Sequence, residues 1–177
     1  MRTVKTFQIP TSKSDFERKL LHWGKQFEET IFLDSNKSDH LYQEYKAILA
    51  VDAFTAIKSD YQNAFEKLDE YQTITKDWLF GYLSYDLKND IEIISSQNED
   101  QLEFPELYFF QPKKIWLLKG NIIEAHYLKM IDDEIDFDFE SIMQTESLKT
   151  DSESVSFTPR WKKEEYVAKA KQVLTHI

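Results

Sequence analysis

The segment KIWLLKGNIIEAHYL (114–128) sets the architecture. Two apolar runs flank Lys119-Gly120-Asn121, and glycine beside asparagine suits the left-handed backbone of a tight hairpin turn. A hairpin makes its strands antiparallel neighbours. Upstream, a further strand is expected near LYFF (107–110). Before it, WLFGYLSYD (78–86) reads as the strongest strand of the chain and the centre of the sheet. Trp78, Phe80 and Tyr82 alternate there with Leu79, Leu83 and Tyr85. Gly81 costs stability inside a strand, so it marks a bulge or a close approach of another backbone. EYKAILAVDAF (44–54) has the continuous apolar character of a strand buried on both faces. TIFLDS (30–35) and residues 3–9, closed by Pro10, supply two more strands.

Helices separate these runs. Ser14-x-x-Glu17 is a capping-box pattern ahead of Phe16, Leu20, Trp23 and Phe27, predicting a helix over about 14–27. Tyr61, Ala64, Phe65, Leu68 and Tyr71 mark a second amphipathic helix, and IDDEIDFDFESIM (131–143) a short, solvated acidic one. The expected class is α+β, a largely antiparallel sheet with helices packed on it. LKNDIEIISSQNEDQLE (87–103) is a polar excursion. QTESLKTDSESVSFT (144–158) is polar and Ser-rich, so the boundaries fall at 1–145 for the main domain, 146–158 for a linker and 159–177 for a terminal helix.

That helix, PRWKKEEYVAKAKQVLTHI, is expected to start at Pro159 with Thr158 as its cap. Tyr166, Val167, Ala170, Val173, Leu174 and Ile177 form an apolar stripe that needs a partner. Either the helix docks at the edge of its own domain or it leads into further chain. The second arrangement is the expected one.

Composition limits the function classes. With 32 acidic residues against 22 basic ones the net charge is −10, which opposes a phosphate-binding surface, so nucleic acid is not an expected partner. The chain carries 13 Phe, 9 Tyr and 4 Trp, enough for a packed interior. There is no cysteine, hence no disulfide framework or thiolate metal site. The N-terminus lacks the apolar core of a signal peptide and no run approaches a membrane span, so the expected location is the cytoplasm.

Catalytic signatures are sparse. Three glycines cannot build a phosphate loop, and no G-x-S-x-G elbow occurs. His22, His40, His126 and His176 lack metal-ligand spacing. The acidic run Asp132, Asp133, Glu134, Asp136, Asp138, Glu140 lacks the glycine and regular spacing of a calcium loop. One constellation suits a free amino acid. Asp34 and the carbonyl of Leu33 could accept from an ammonium group, while Ser35 and Lys46 could donate to a carboxylate. A turn serine beside a surface ion pair is the alternative reading.

The order FLDS (32–35), YKAILAVDAF (45–54), WLFGYLSYDLKN (78–89), YFFQPKKIWLLKGN (108–121) and WKKEEYVAKAKQVLTHI (161–177) resembles the N-terminal part of chorismate-utilising enzymes. The chain looks like component I of para-aminobenzoate (aminodeoxychorismate) synthase or of anthranilate synthase. The resemblance implies a non-catalytic domain, with the family's catalytic residues and Mg²⁺ ligands beyond Ile177. It implies chorismate as substrate, ammonia from a glutamine amidotransferase subunit, and 4-amino-4-deoxychorismate as product, for folate synthesis. It maps the family's tryptophan-sensing stretch onto Leu33, Asp34, Ser35 and Lys46, with aspartate where glutamate is usual. It also assigns Gly81, Tyr82, Tyr85 and Asp86 to structure and the domain interface. The anthranilate branch and a stand-alone amino-acid-binding or interaction module are the alternatives.

Overall fold

A computed structural model describes residues 1–9, 12–36, 44–92, 102–146 and 156–176. Its centre is β5 (Leu107–Lys119), a 13-residue strand that runs through LYFF and KIWLL without interruption. Along one edge β5 pairs with β3 (Ala47–Ser59), which pairs in turn with β2 (Thr30–Asp34). The other edge is shared by two strands placed end to end. β4 (Phe80–Leu83) pairs with residues 107–110, and β6 (Ile122–Leu128) with residues 114–119. β1 (Arg2–Gln8) closes the far edge against β6. The result is a six-stranded sheet, antiparallel at every pairing, in an α+β domain as expected. Gly120, with φ of +60°, turns the β5–β6 hairpin.

The helices are α1 (Lys13–Gly24), α2 (Ala64–Thr75), the short α3 (Lys88–Ile91), α4 (Ile135–Gln144) and α5 (Lys163–Leu174). α1 and α4 cover one face of the sheet. Phe16, Leu20 and Trp23 from α1 and Ile135 and Ile142 from α4 meet Leu49, Val51, Trp116 and Tyr127 there. Trp116 is fully buried and meets Trp23 and Tyr127 edge-on, with ring centres 6.1 and 5.6 Å apart. Such pairs add about 0.5–1.5 kcal/mol each beyond their area burial. A second cluster, Ala50, Phe80, Phe110, Ile115 and Leu117, is separate from this one. α2 packs Ala64 and Leu68 near Leu87 and Leu107.

Several expectations need correction. WLFGYLSYD is neither the longest strand nor the sheet centre. Only Phe80–Leu83 is extended. Ser84 then accepts from the Asp86 N–H at 3.2 Å and starts a 3-10 turn at Tyr85–Leu87, which ends the strand. LYFF and KIWLL are one strand because Pro112 falls where β5 has no strand neighbour on its β4/β6 edge. On the other edge it lies opposite Ala53, next to a shift in the β3 register, so its missing N–H breaks little of the ladder.

α1 starts after Ser12, whose carbonyl accepts from Asp15 and Phe16. Ser14 lies inside the helix and the capping box does not form. The acidic stretch is not simply solvated. Thr3 donates to Asp132, Lys5 pairs with Asp136, and Lys114 binds both Glu134 and Asp138. The last helix begins at Lys163 rather than Pro159, and the Lys162 N–H reaches the Glu165 carboxylate at 3.3 Å. Residues 147–155, most of the expected linker, lie outside the described residues, as do 37–40 of the expected NKSDH turn and 93–101 of the polar excursion.

α5 does not dock on its own sheet. From 156 to 176 every residue is exposed except Ala170, and Tyr166 and Leu174 of the apolar stripe are 63% and 71% accessible. No described helix is long and apolar enough to cross a membrane.

Candidate functional site

β2 and β3 bring the expected amino-acid site together at one end of their ladder. Asp34 lies opposite Ala47 and Leu33 opposite Ile48, while the Ser35 N–H donates to the Lys46 carbonyl at 3.0 Å. The individual groups are already engaged, however. The Asp34 carboxylate accepts the Asn36 N–H at 2.8 Å, an Asx turn that holds the strand end. The Lys46 ammonium lies 2.6 Å from Glu17 on α1, a residue that spacing had assigned to a cap. Leu33 is exposed. A carboxylate ligand at Lys46 would compete with Glu17 for the ammonium.

The second expected group is dispersed. Gly81 fits the close-approach alternative: a Cβ there would lie 2.0 Å from the Tyr108 carbonyl oxygen and 2.6 Å from the Phe109 Cα. Tyr82 packs against Tyr108. Tyr85 is almost fully exposed on the 3-10 turn, under the ammonium of Lys88, which also pairs with Asp86 at 2.5 Å. Asp90, which follows, caps α2 from outside by accepting the Asn63 and Ala64 N–H groups at 2.9 and 3.0 Å.

Two polar clusters hold the sheet in place. The first fills the gap between β4 and β6. There the guanidinium of Arg2 donates to the carbonyls of Pro112 at 2.6 Å and His126 at 2.9 Å, and to Asp77 at 2.8 Å. Gln111 donates to the same carboxylate at 2.7 Å. Burial pushes the Asp77 carboxyl up, but hydrogen bonds from Arg2, Gln111 and the Trp78 backbone outweigh it and hold it below the usual range.

The second cluster lies under α4. Lys114 is buried and donates to Glu134 and Asp138, each at 2.6 Å, and the Tyr127 hydroxyl donates to Asp138 at 2.8 Å. Desolvation opposes the Lys114 charge, yet the two carboxylates raise its pKa. Burial and the Asp138 charge push the Tyr127 phenol upward. Among the described residues no group of three or more His, Asp or Glu side chains is placed to hold a metal ion. The His126 ring pairs with Glu124 at 3.0 Å.

The aromatic residues around 78–85 and 107–116 could form a stacking platform but read more simply as core; some of them line a groove at the other end of β2. About 410 Å³ in volume, it is lined by Tyr82, Phe104, Tyr108 and Phe110, with Glu28 and Glu29 at its rim. Its aromatic residues come from β4, β5 and the loop between them, and only the β4–β5 pairing assembles them. The Tyr108 phenol is pushed up to about 12 by burial, with the Glu29 and Glu28 charges adding to it. No model of a known protein family matches the chain, and no curated protein matches it.

Proposed function

We propose that the chain is the non-catalytic N-terminal portion of a chorismate-aminating enzyme of the para-aminobenzoate (aminodeoxychorismate) synthase component I type. The observation that carries this reading is α5. It is a 12-residue amphipathic helix that leaves Tyr166, Val167, Val173 and Leu174 exposed. Burying such a stripe is worth about 1.5–3 kcal/mol per large side chain, so the helix is suited to a further domain rather than to solvent. The segment order that resembles the family ends on the same helix.

In this reading the sheet with α1 and α4 is a scaffold. Substrate binding and chemistry, with Mg²⁺ and ammonia from a glutamine amidotransferase subunit, belong to chain that follows. The end of β2, with Leu33, Asp34, Ser35 and Lys46, is the place for a tryptophan-like effector. There the effector carboxylate competes with Glu17 for Lys46. That pair supports a second reading, an interaction domain that binds no small amino acid.

Reading the coding sequence after Ile177 tests the first proposal. Continuation through a G-D-x-Y/F-x-x-N segment supports it. The full-length product should then convert chorismate, Mg²⁺ and ammonium into 4-amino-4-deoxychorismate. Anthranilate as product would assign the other branch, and a stop codon would leave the interaction or amino-acid-binding module. Titration with tryptophan separates those two, because a ligand held only by the native state raises the melting temperature. No shift at millimolar tryptophan would exclude the effector site.

A further inference from the structure

The groove between β2 and β4 is chemically unlike the amino-acid site. It lies ~13 Å away along β2, at about 3.3 Å per residue. Phe104, Tyr82, Tyr108 and Phe110 form a continuous aromatic run, with successive ring centres 6.3, 6.1 and 6.0 Å apart. Phe110 is buried as the floor, whereas Tyr82 and Phe104 keep 37% and 65% of their surface open. An aromatic wall alone would accept many apolar groups. The rim narrows the choice. The Glu28 and Glu29 carboxylates carry neither a hydrogen bond nor an ion pair among the described residues, although their charges reach Tyr108. Among the described residues Lys58 is the one cation of the lining, and its ammonium already lies 5.1 Å from the centre of the Tyr108 ring. Two carboxylates against one ammonium leave the rim net negative.

We propose that this groove binds a small organic cation, an ammonium group carried on a compact apolar body. The ring faces of Tyr82, Phe104 and Tyr108 would take the methylene or methyl surface and the charge, and Glu28 and Glu29 would supply the counter-charge. Cations are attracted to aromatic faces within about 6 Å of the ring centre, and the attraction grows where water is excluded. A groove of about 410 Å³ lies in the range of small-molecule sites. Lys58 shows the chemistry in miniature: one ring of the set already holds an ammonium supplied by the chain itself. It is also the competitor that a ligand must outbid.

The test is a titration of the whole chain with choline and with its neutral isostere 3,3-dimethyl-1-butanol, followed by amide and aromatic NMR shifts. Choline should give saturable shifts at Tyr82, Phe104 and Tyr108, and the alcohol should bind about tenfold more weakly or not at all. The Glu28→Gln/Glu29→Gln double variant should lose about tenfold in choline affinity, and Lys58→Gln should gain severalfold. Tyr82→Ala, at an exposed position, should lose about fivefold. Neither carboxylate has a structural partner among the described residues, so an unchanged spectrum away from the groove is expected for their variant and certifies its fold. Non-saturable shifts, equal binding of the alcohol, or unchanged affinity in the folded glutamate variant would each overturn the proposal.

Discussion

Arg2→Met removes the guanidinium that closes the gap between β4 and β6 while keeping most of the side-chain volume. Arg2 is 7% exposed and Asp77 14%, so the pair is largely desolvated. Breaking a buried ion pair by removing one partner costs about 3–5 kcal/mol, because the remaining charge is left uncompensated. Here Gln111 still donates to Asp77, and its slight exposure admits water, which places the loss near the lower end. The Pro112 and His126 carbonyls also lose their donor, at about 1 kcal/mol or more each if water cannot replace it.

A total of about 3–5 kcal/mol, the upper figure where water does not reach the two carbonyls, corresponds to roughly 6–20 °C in Tm for a domain of this size. Urea unfolding at neutral pH measures it directly. The pH dependence has a defined sign. Asp77 is held below its unfolded value, so its contribution is full above about 3.9 and is lost as pH falls through the lower folded value. The gap between the wild type and Arg2→Met must therefore narrow in acid. Asp77→Asn combined with Arg2→Met should cost less than the sum of the two single changes by more than about 1 kcal/mol. A loss below about 0.5 kcal/mol for Arg2→Met, the range of ordinary surface substitutions, would refute the argument.

Two further outcomes follow from the geometry. The raised pKa values of Lys114 and Tyr127 mean that their contribution is intact below the unfolded values of about 10 and lost as pH rises through the folded ones. Tyr127→Phe should therefore flatten the alkaline loss of stability and cost about 1–2 kcal/mol at neutral pH, measured by urea midpoints at neutral and alkaline pH; an unchanged alkaline slope would count against it. Gly81→Ala places a Cβ against the Tyr108 carbonyl and the Phe109 Cα, so backbone must move and about 1–3 kcal/mol should be lost. Hydrogen exchange should then accelerate at Phe80–Leu83 first, and wild-type protection there would rule the contact out.

Local pattern in the sequence located most of the extended and helical segments, because apolar periodicity is a property of neighbouring residues, but it missed the turn at Tyr85–Leu87 and α3. The hairpin at Gly120 and the burial of most of 47–51 followed from that pattern; at Gly81 it left a bulge or a close approach, and the structure decided for the latter. Tertiary structure decided the hierarchy. WLFGYLSYD has the strongest alternation, yet β5 is central because β3 pairs along one of its edges and both β4 and β6 along the other, and pairing depends on contacts far apart in sequence.

Charged groups were legible least of all. Nothing near Glu17 in sequence points to Lys46, and nothing near Asp77 points to Arg2; both pairings arise only when packed elements bring the groups together. The groove follows the same rule. The aromatic stretches that hold Tyr82 and Tyr108 read as core by pattern, and these residues share a surface with Glu28 only because β4 stops after four residues and pairs with the first half of β5.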